Sequence, residues 1–333
     1  MALPMLLRRA GHLARADGRL LGDGGGRGSY GEWVHTPGST VFEIKAAPGT
    51  DGVGVFATHS IPQGARILVE RPLLSLPEEV SYEDLGPLQH QADSIINTAV
   101  AALSRAQRAQ LFQLQDCRAT AGGTASTASG ILYTNAFSAE PGTTGYFLTA
   151  ARFNHSCTPN VGYSWNASLT AMTMHAHVDV AAGEELLISY KARYAPRSSR
   201  REALHAQYRF TCHCKACALT GKAQKASSSR RVEIQRVREA ICASASRRLD
   251  SSVLAQVEHQ VRLMREEGLH FPADLQYLYN LAYEVCKHLG QHSEARSWLR
   301  LASACNALAE GTDTEGFEHY ARLLSLPVDT LDT

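Results

Sequence analysis

The chain has 333 residues, 44% hydrophobic and 20% charged, a globular balance that excludes wholesale disorder and suggests about two domains. Its net charge of +1 conceals a basic block at 191–240, with 13 basic and 3 acidic side chains, between acidic blocks at 41–190 and 241–333. Such a block points to an anionic partner or to a solvated basic face.

In chain order, residues 1–40 contain the run GDGGGRGS and read as a flexible leader. Arginines follow directly on a very short apolar stretch at the N-terminus, which excludes a secretory signal. The lack of acids before Asp17, with Arg8, Arg9, Arg15 and Arg19, matches a mitochondrial presequence, while Pro4 and the glycine-rich continuation count against one. No apolar run approaches the ~18 residues of a membrane-spanning helix. Strand-like runs follow at Val41–Ala46, Gly54–Ala57 and Ala65–Glu70, separated by proline and glycine turns. Apolar residues between Tyr82 and Gln115 recur at helical spacing, and Ala119–Gly130 reads as a loop. Further strand-like pieces are expected at Ile131–Thr134, Ser164–Asn166, Ala171–Val178 and Glu185–Tyr190, then a helix over Ser198–Tyr208.

A Lys/Ser-rich linker at 220–229 leads into helix from Val232 onward. Leu275, Leu278, Leu281, Ala282, Val285 and Leu289 form one apolar stripe, and Ala295, Trp298, Leu299, Ala302 and Cys305 the next, joined by a turn at Leu289-Gly290-Gln291. This pair resembles a single tetratricopeptide unit. One copy cannot bury its own face, so it must pack on neighbouring helices or on the first domain.

The chemistry-bearing segments are Arg152-Phe153-Asn154-His155-Ser156-Cys157-Thr158-Pro159-Asn160, then Gly183–Tyr190, then Tyr208-Arg209-Phe210-Thr211 leading into Cys212-x-Cys214-x-x-Cys217. Without a secretory context, that cysteine spacing argues for metal over disulfides. Structural zinc takes four ligands and the triplet supplies three. His205 or His213 is a nearby candidate for the fourth, and a cluster of free reactive thiols is the alternative. Cys117, Cys242, Cys286 and Cys305 are expected as buried packing residues.

These segments, in this order, resemble the SET-domain lysine methyltransferases, specifically the SET-and-MYND (SMYD-like) branch and its fungal-type relatives. Asp51-Gly52-Val53-Gly54-Val55-Phe56-Ala57 resembles the family's GxG motif, Asn154–Cys157 its NHSC motif, Glu184–Tyr190 its EELxxxY motif, and the cysteine triplet its post-SET zinc segment. The resemblance spans Val41–Cys217. It implies an α+β fold: a SET-domain β-fold of short strands with a pseudoknot over 41–190, carrying a helical insert at about 78–118. A zinc-bound post-SET segment at 191–220, a linker at 221–231 and an all-α tetratricopeptide-like region at 232–333 complete it. The MYND zinc module is missing: between Glu70 and Ile131 only Cys117 and His90 offer ligands.

The same resemblance implies S-adenosylmethionine as cofactor, contacted through Gly52, Gly54, Asn135, Asn154, His155 and Phe210, and zinc held by Cys157, Cys212, Cys214 and Cys217. Tyr190 corresponds to the family's catalytic tyrosine and Tyr208 to a second tyrosine lining the lysine channel. The substrate would be lysine in a histone tail or another protein, and the protein would act in nucleus or cytoplasm. A SET-fold scaffold that recruits a protein partner through its helical C-terminal region is the alternative. A nucleic-acid binder is disfavoured, because no recognition helix or finger motif accompanies the basic block. Arg193, Arg197, Arg200 and Arg201 are expected on a solvated helix face.

Overall fold

The computed structural model describes residues 41–48, 52–81, 89–123, 125–190, 193–245 and 248–326; the leader with its presequence-like pattern lies outside them. Short strands dominate the first half, in four small sheets. Strands β1 (Phe42–Ala46) and β2 (Val53–Ala57) form an antiparallel hairpin. Strands β3 (Arg66–Glu70), β8 (Val161–Asn166) and β9 (Ala171–Ala176) make an antiparallel sheet ordered β3-β9-β8. Strands β4 (Leu74–Pro77), β5 (Ala136–Ser138) and β6 (Thr143–Tyr146) are ordered β4-β6-β5. The last pair is parallel: β7 (Asn154–His155) lies beside β10 (Leu187–Ile188). Val55, Ile67, Phe153, Met172, Met174, Leu186 and Ile188 are buried in one apolar core.

The helical insert extends further than expected. It comprises α1 (Gln89–Ala102), α2 (Arg105–Leu111), α3 (Cys117–Gly122) and α4 (Ala128–Thr134). The expected loop at Ala119–Gly130 and strand at Ile131–Thr134 are therefore corrected to two helices. Caps explain them. Asp116 accepts from the backbone N–H of Arg118 and Ala119 at 3.0 and 3.1 Å, and Thr127 accepts from Gly130 at 2.9 Å. Capping then outweighs the strand preference of Ile131-Leu132-Tyr133, whose first two members are buried in the insert's own core.

After α5 (Arg197–Tyr208) and the short α6 (Lys215–Ala218), the chain enters a helical arm. Its members are α7 (Gly221–Ala245), α8 (Ser251–Glu266), α9 (Pro272–His288), α10 (His292–Glu310) and α11 (Glu315–Ser325). The expected linker at 221–231 is corrected to the first turns of α7. Both tetratricopeptide-like stripes contribute to a single apolar core, in which Leu275, Leu278, Val285, Trp298, Leu299 and Ala302 are buried. Gly290, at φ +66°, makes the turn between α9 and α10 that a side chain would strain. The pair packs as its lone copy requires, with α9 against α8 and α10 against β8 and β9. Arg66 pairs with Asp313 across that contact, Nη1 to Oδ2 at 3.0 Å, and Ser164 donates to the Ala309 carbonyl at 3.3 Å.

Candidate active site

Strands β7 and β10 carry two motifs separated by about thirty residues and place them side by side, Asn154 opposite Leu187 and His155 opposite Ile188. Asn160 pins this pairing: its Nδ2 donates to the Glu185 carbonyl at 2.9 Å and its Oδ1 accepts from Leu187 N at 2.7 Å. The Tyr190 backbone N–H donates to His155 Nδ1 at 3.0 Å. Nδ1 is thus the acceptor nitrogen, and a neutral imidazole carries its proton on Nε2, which faces Cys157 Sγ at 3.4 Å. Burial holds His155 neutral, lowering its pKa to about 4.

Around His155 the aromatic rings converge. Tyr190 lies 5.2 Å from His155, 4.9 Å from Tyr208 and 6.4 Å from Phe210, centroid to centroid, and Phe210 lies 6.2 Å from His155. The Tyr190 hydroxyl donates to the Phe153 carbonyl at 2.8 Å, leaving its oxygen lone pairs to accept. Burial pushes the Tyr190 phenol well above its ordinary range, and pushes Tyr208 up to about 12. Both therefore stay protonated at neutral pH and act as hydrogen-bonding groups, not as bases.

Gly54 sits where Glu185 and Asn154 converge on β2. A Cβ there would collide with the Glu185 carboxylate and crowd the Asn154 amide, so the close approach fills the space beside the glycine with protein groups. Asn154 Nδ2 bridges the Val53 carbonyl at 3.0 Å and Glu185 Oε1 at 2.8 Å. Gly52 is exposed just before this strand. Asn135 is placed differently: it ends α4, and its Nδ2 donates to the carbonyls of Gln115 and Ile131. Its contacts belong to the insert. The insert reaches the aromatic group through Cys117, whose thiol donates to the Gln207 carbonyl at 3.3 Å, next to Tyr208.

Directly behind His155, the sulfurs of Cys157, Cys212, Cys214 and Cys217 all lie within 4.8 Å of one another. Cys157 is 3.6 Å from Cys217 and 4.0 Å from Cys212, sulfur to sulfur. Tetrahedral zinc with Zn–S bonds of ~2.3 Å puts ligand sulfurs about 3.8 Å apart, against about 2.05 Å in a disulfide. His205 and His213 are both exposed and outside the cluster, which removes them as the fourth ligand.

Of the arginines expected on a solvated face, Arg193 is exposed, Arg197 and Arg201 are half-buried, and Arg200 is the correction. Arg200 is 1% exposed and Arg231 0%. Arg200 lies inside, donating to the Ala195 carbonyl at 2.7 Å and to Cys217 Sγ at 3.7 Å, which sets its charge beside the four sulfurs. Arg193 pairs with Asp274 at 3.1 Å and Arg197 donates to the Leu219 carbonyl at 3.0 Å. Arg200 and Arg231 of the basic block are therefore internal, while Arg209, Lys215, Lys222, Lys225, Arg236 and Arg238 are exposed. Sequence reasoning gave Glu185 no role of its own, although it lies inside the EEL motif, and nothing in the composition separates Arg200 and Arg231 from their exposed neighbours. Cys242 is exposed, correcting its assignment as a packing residue; Cys117, Cys286 and Cys305 are buried.

Comparison with known proteins agrees with the resemblance. Residues 52–191 match the model of the SET domain family. Histone-lysine N-methyltransferase set5 of Schizosaccharomyces pombe is 26% identical over 291 residues, covering 86% of this chain and 84% of that protein. Human N-lysine methyltransferase SMYD2 is 25% identical over 181 residues, covering 54% of this chain but only 40% of its own length. Chicken protein-lysine N-trimethyltransferase SMYD5 is 37% identical over 76 residues, 22% of this chain and 18% of that one. Among solved structures, the SET domain of LSMT bound to lysine and AdoHcy aligns with 86% of this chain and 89% of that one, at 12% identity and a TM-score of 0.35. The chain carries a SET domain at residues 52–191 and is a homologue of the Set5 and SMYD lysine methyltransferases.

Proposed function

We propose that the chain is an S-adenosylmethionine-dependent methyltransferase acting on the side-chain amine of lysine in a protein, histone or non-histone. One observation carries this reading. The His155–Tyr190–Tyr208–Phe210 aromatic group is assembled from three distant segments and backed directly by the four-cysteine cluster.

The residues present suit the cofactor. A carboxamide (Asn154) and a carboxylate (Glu185) meet beside Gly54 on β2, groups matched to a zwitterionic end, and Phe210, 6.2 Å from His155, offers an aromatic face matched to a purine. Asn154, His155 and Phe210 would hold it, with the exposed backbone at Gly52; the space beside Gly54 is taken by Glu185 and Asn154. When bound, the cofactor supplies an electrophilic methyl on a sulfonium. The four thiols suit zinc, which would tie the post-SET segment to the Asn154–Cys157 loop and convert binding energy into folding energy.

The chain's own contribution is to the amine. Lysine has a reference pKa of ~10.4 and is nucleophilic only when neutral, so a channel walled by Tyr190 and Tyr208 favours deprotonation by desolvation. Neither phenol takes the proton, which leaves to solvent. The Tyr190 oxygen, its own hydrogen committed to Phe153, accepts from the amine N–H and orients the nitrogen lone pair. The test is calorimetric titration with S-adenosylmethionine followed by radiolabelled methyl transfer onto a protein extract. Transfer supports the reading. Binding without transfer to any protein contradicts it and favours the scaffold alternative.

A further inference from the structure

A buried arginine is costly unless its N–H groups find acceptors, and Arg231 is wholly buried on α7. Its Nε donates to Glu267 Oε1 at 2.8 Å, its Nη1 to the Arg193 carbonyl, and its Nη2 to the Cys157 carbonyl at 3.3 Å. The three acceptors come from three parts of the molecule. Cys157 ends the segment that carries Asn154 and His155. Arg193 lies three residues beyond Tyr190. Glu267 caps the C-terminus of α8 in the helical arm.

Glu267 is itself buried and fully engaged by α7. Beyond Arg231, it accepts from the Ser227 hydroxyl and from Arg230 Nε at 2.9 Å. A guanidinium is a rigid planar fork, so anchoring one edge on Glu267 fixes where the other N–H groups point. Those groups meet the Cys157 end of the Asn154–Cys157 segment and Arg193, three residues beyond Tyr190. The direct ladder between these segments is short: two residue pairs in β7 and β10, then Ser156 N to the Ile188 carbonyl at 2.8 Å and Tyr190 N to His155. The Tyr190 hydroxyl on the Phe153 carbonyl and the Asn160 amide add to it, and Arg231 brings a further link from the arm.

We propose that Arg231, held by Glu267, is a positioning residue for methyl transfer, bracing the Asn154–Cys157 segment against the chain just beyond Tyr190. The last link rests on the methyltransferase reading. The helical arm then builds part of the active site. Lysine cannot substitute, because an ammonium is a point charge without the fork that reaches three separated acceptors.

The test uses the full chain as wild type, Arg231→Lys, Glu267→Gln and, as a control on the exposed face of α7, Arg236→Ala. Zinc content, hydrogen exchange over 153–158 and 187–190, and kcat with KM for S-adenosylmethionine are measured on each. Arg231→Lys is expected to keep its helical circular dichroism and its zinc, exchange faster in both segments, and lose ~10- to 100-fold in kcat with a smaller change in KM. Glu267→Gln is expected to follow the same pattern more weakly, and Arg236→Ala to match wild type. Wild-type exchange or wild-type kcat in folded, zinc-replete Arg231→Lys overturns the proposal. If Arg231→Lys does not fold, Glu267→Gln decides by the same criteria. A wild-type chain that binds no S-adenosylmethionine sinks the methyltransferase reading instead, and the exchange measurement alone then decides the brace.

Discussion

The SET half and the helical arm close their cores in opposite ways. The arm buries one continuous apolar cluster contributed mainly by consecutive helices, from Ile234 to Tyr320, with Tyr194 joining from outside the arm. Around the candidate site, the SET half instead joins distant segments through small polar devices: a two-residue parallel ladder, the Asn160 amide, and four thiols from two places 55 residues apart. An apolar core tolerates loss of any one contact gradually. A set of cross-links does not, so the two halves should respond differently to the same kind of damage.

The largest expected effect is loss of a thiol. Cys212→Ser, or chelation, should unfold the post-SET segment and the Asn154–Cys157 loop, since structural zinc contributes on the order of 10 kcal/mol in small sites. Hydrogen exchange should show that collapse while α8 to α10 stay protected; equal loss of protection in the arm would break the comparison. Trp298→Ala should do the reverse, costing about 3–5 kcal/mol from the arm's core. Thermal denaturation reads the loss, and unchanged stability would deny that this cluster holds the arm.

The seam between the halves should be acid-sensitive. His175 and His177 are buried on the β9 side of the seam, and burial lowers their pKa values to about 4 and about 3. Arg66, Asp313 and the Ala309 carbonyl face His175, while His270 and Arg193 face His177. Folded values below the unfolded ~6.5 mean that the unfolded state binds more protons between them. Stability is therefore full above about pH 6.5 and falls as pH drops towards 4, by on the order of 3 kcal/mol for His175. A His175→Gln variant should show a shallower slope in denaturation midpoints across that range, and an identical slope would contradict the assignment. The smallest effect belongs to the surface: Arg236→Ala breaks an exposed pair with Glu233 and should leave the urea denaturation midpoint nearly unchanged.

The strands β1 to β3, β8 and β9 were legible from β-branched runs between proline and glycine turns, and the apolar stripes of α9 and α10 because their periodicity matches their burial. The start of α7 was not. Its buried face runs through Ser227 and Arg231 before it reaches Ile234, Val237 and Ile241, so a helix that buries hydroxyl and guanidinium groups reads as a polar linker. Likewise Arg200 resembles its solvated neighbours until the thiols it faces are in place. The candidate site was legible in part: Asn154, His155, Tyr190, Tyr208 and Phe210 are brought together, while Asn135 is engaged within the insert. Short motifs mark residue types, but which partner a side chain finds depends on segments that the motif does not contain.

The most direct measurement of the central claim is single-turnover methyl transfer by Tyr190→Phe beside wild type, with S-adenosylmethionine affinity measured on both. Loss of the oxygen that orients the amine should lower the rate by ~10²-fold while leaving cofactor affinity within a few-fold. A Tyr190→Phe chain that transfers methyl at the wild-type rate would contradict the account.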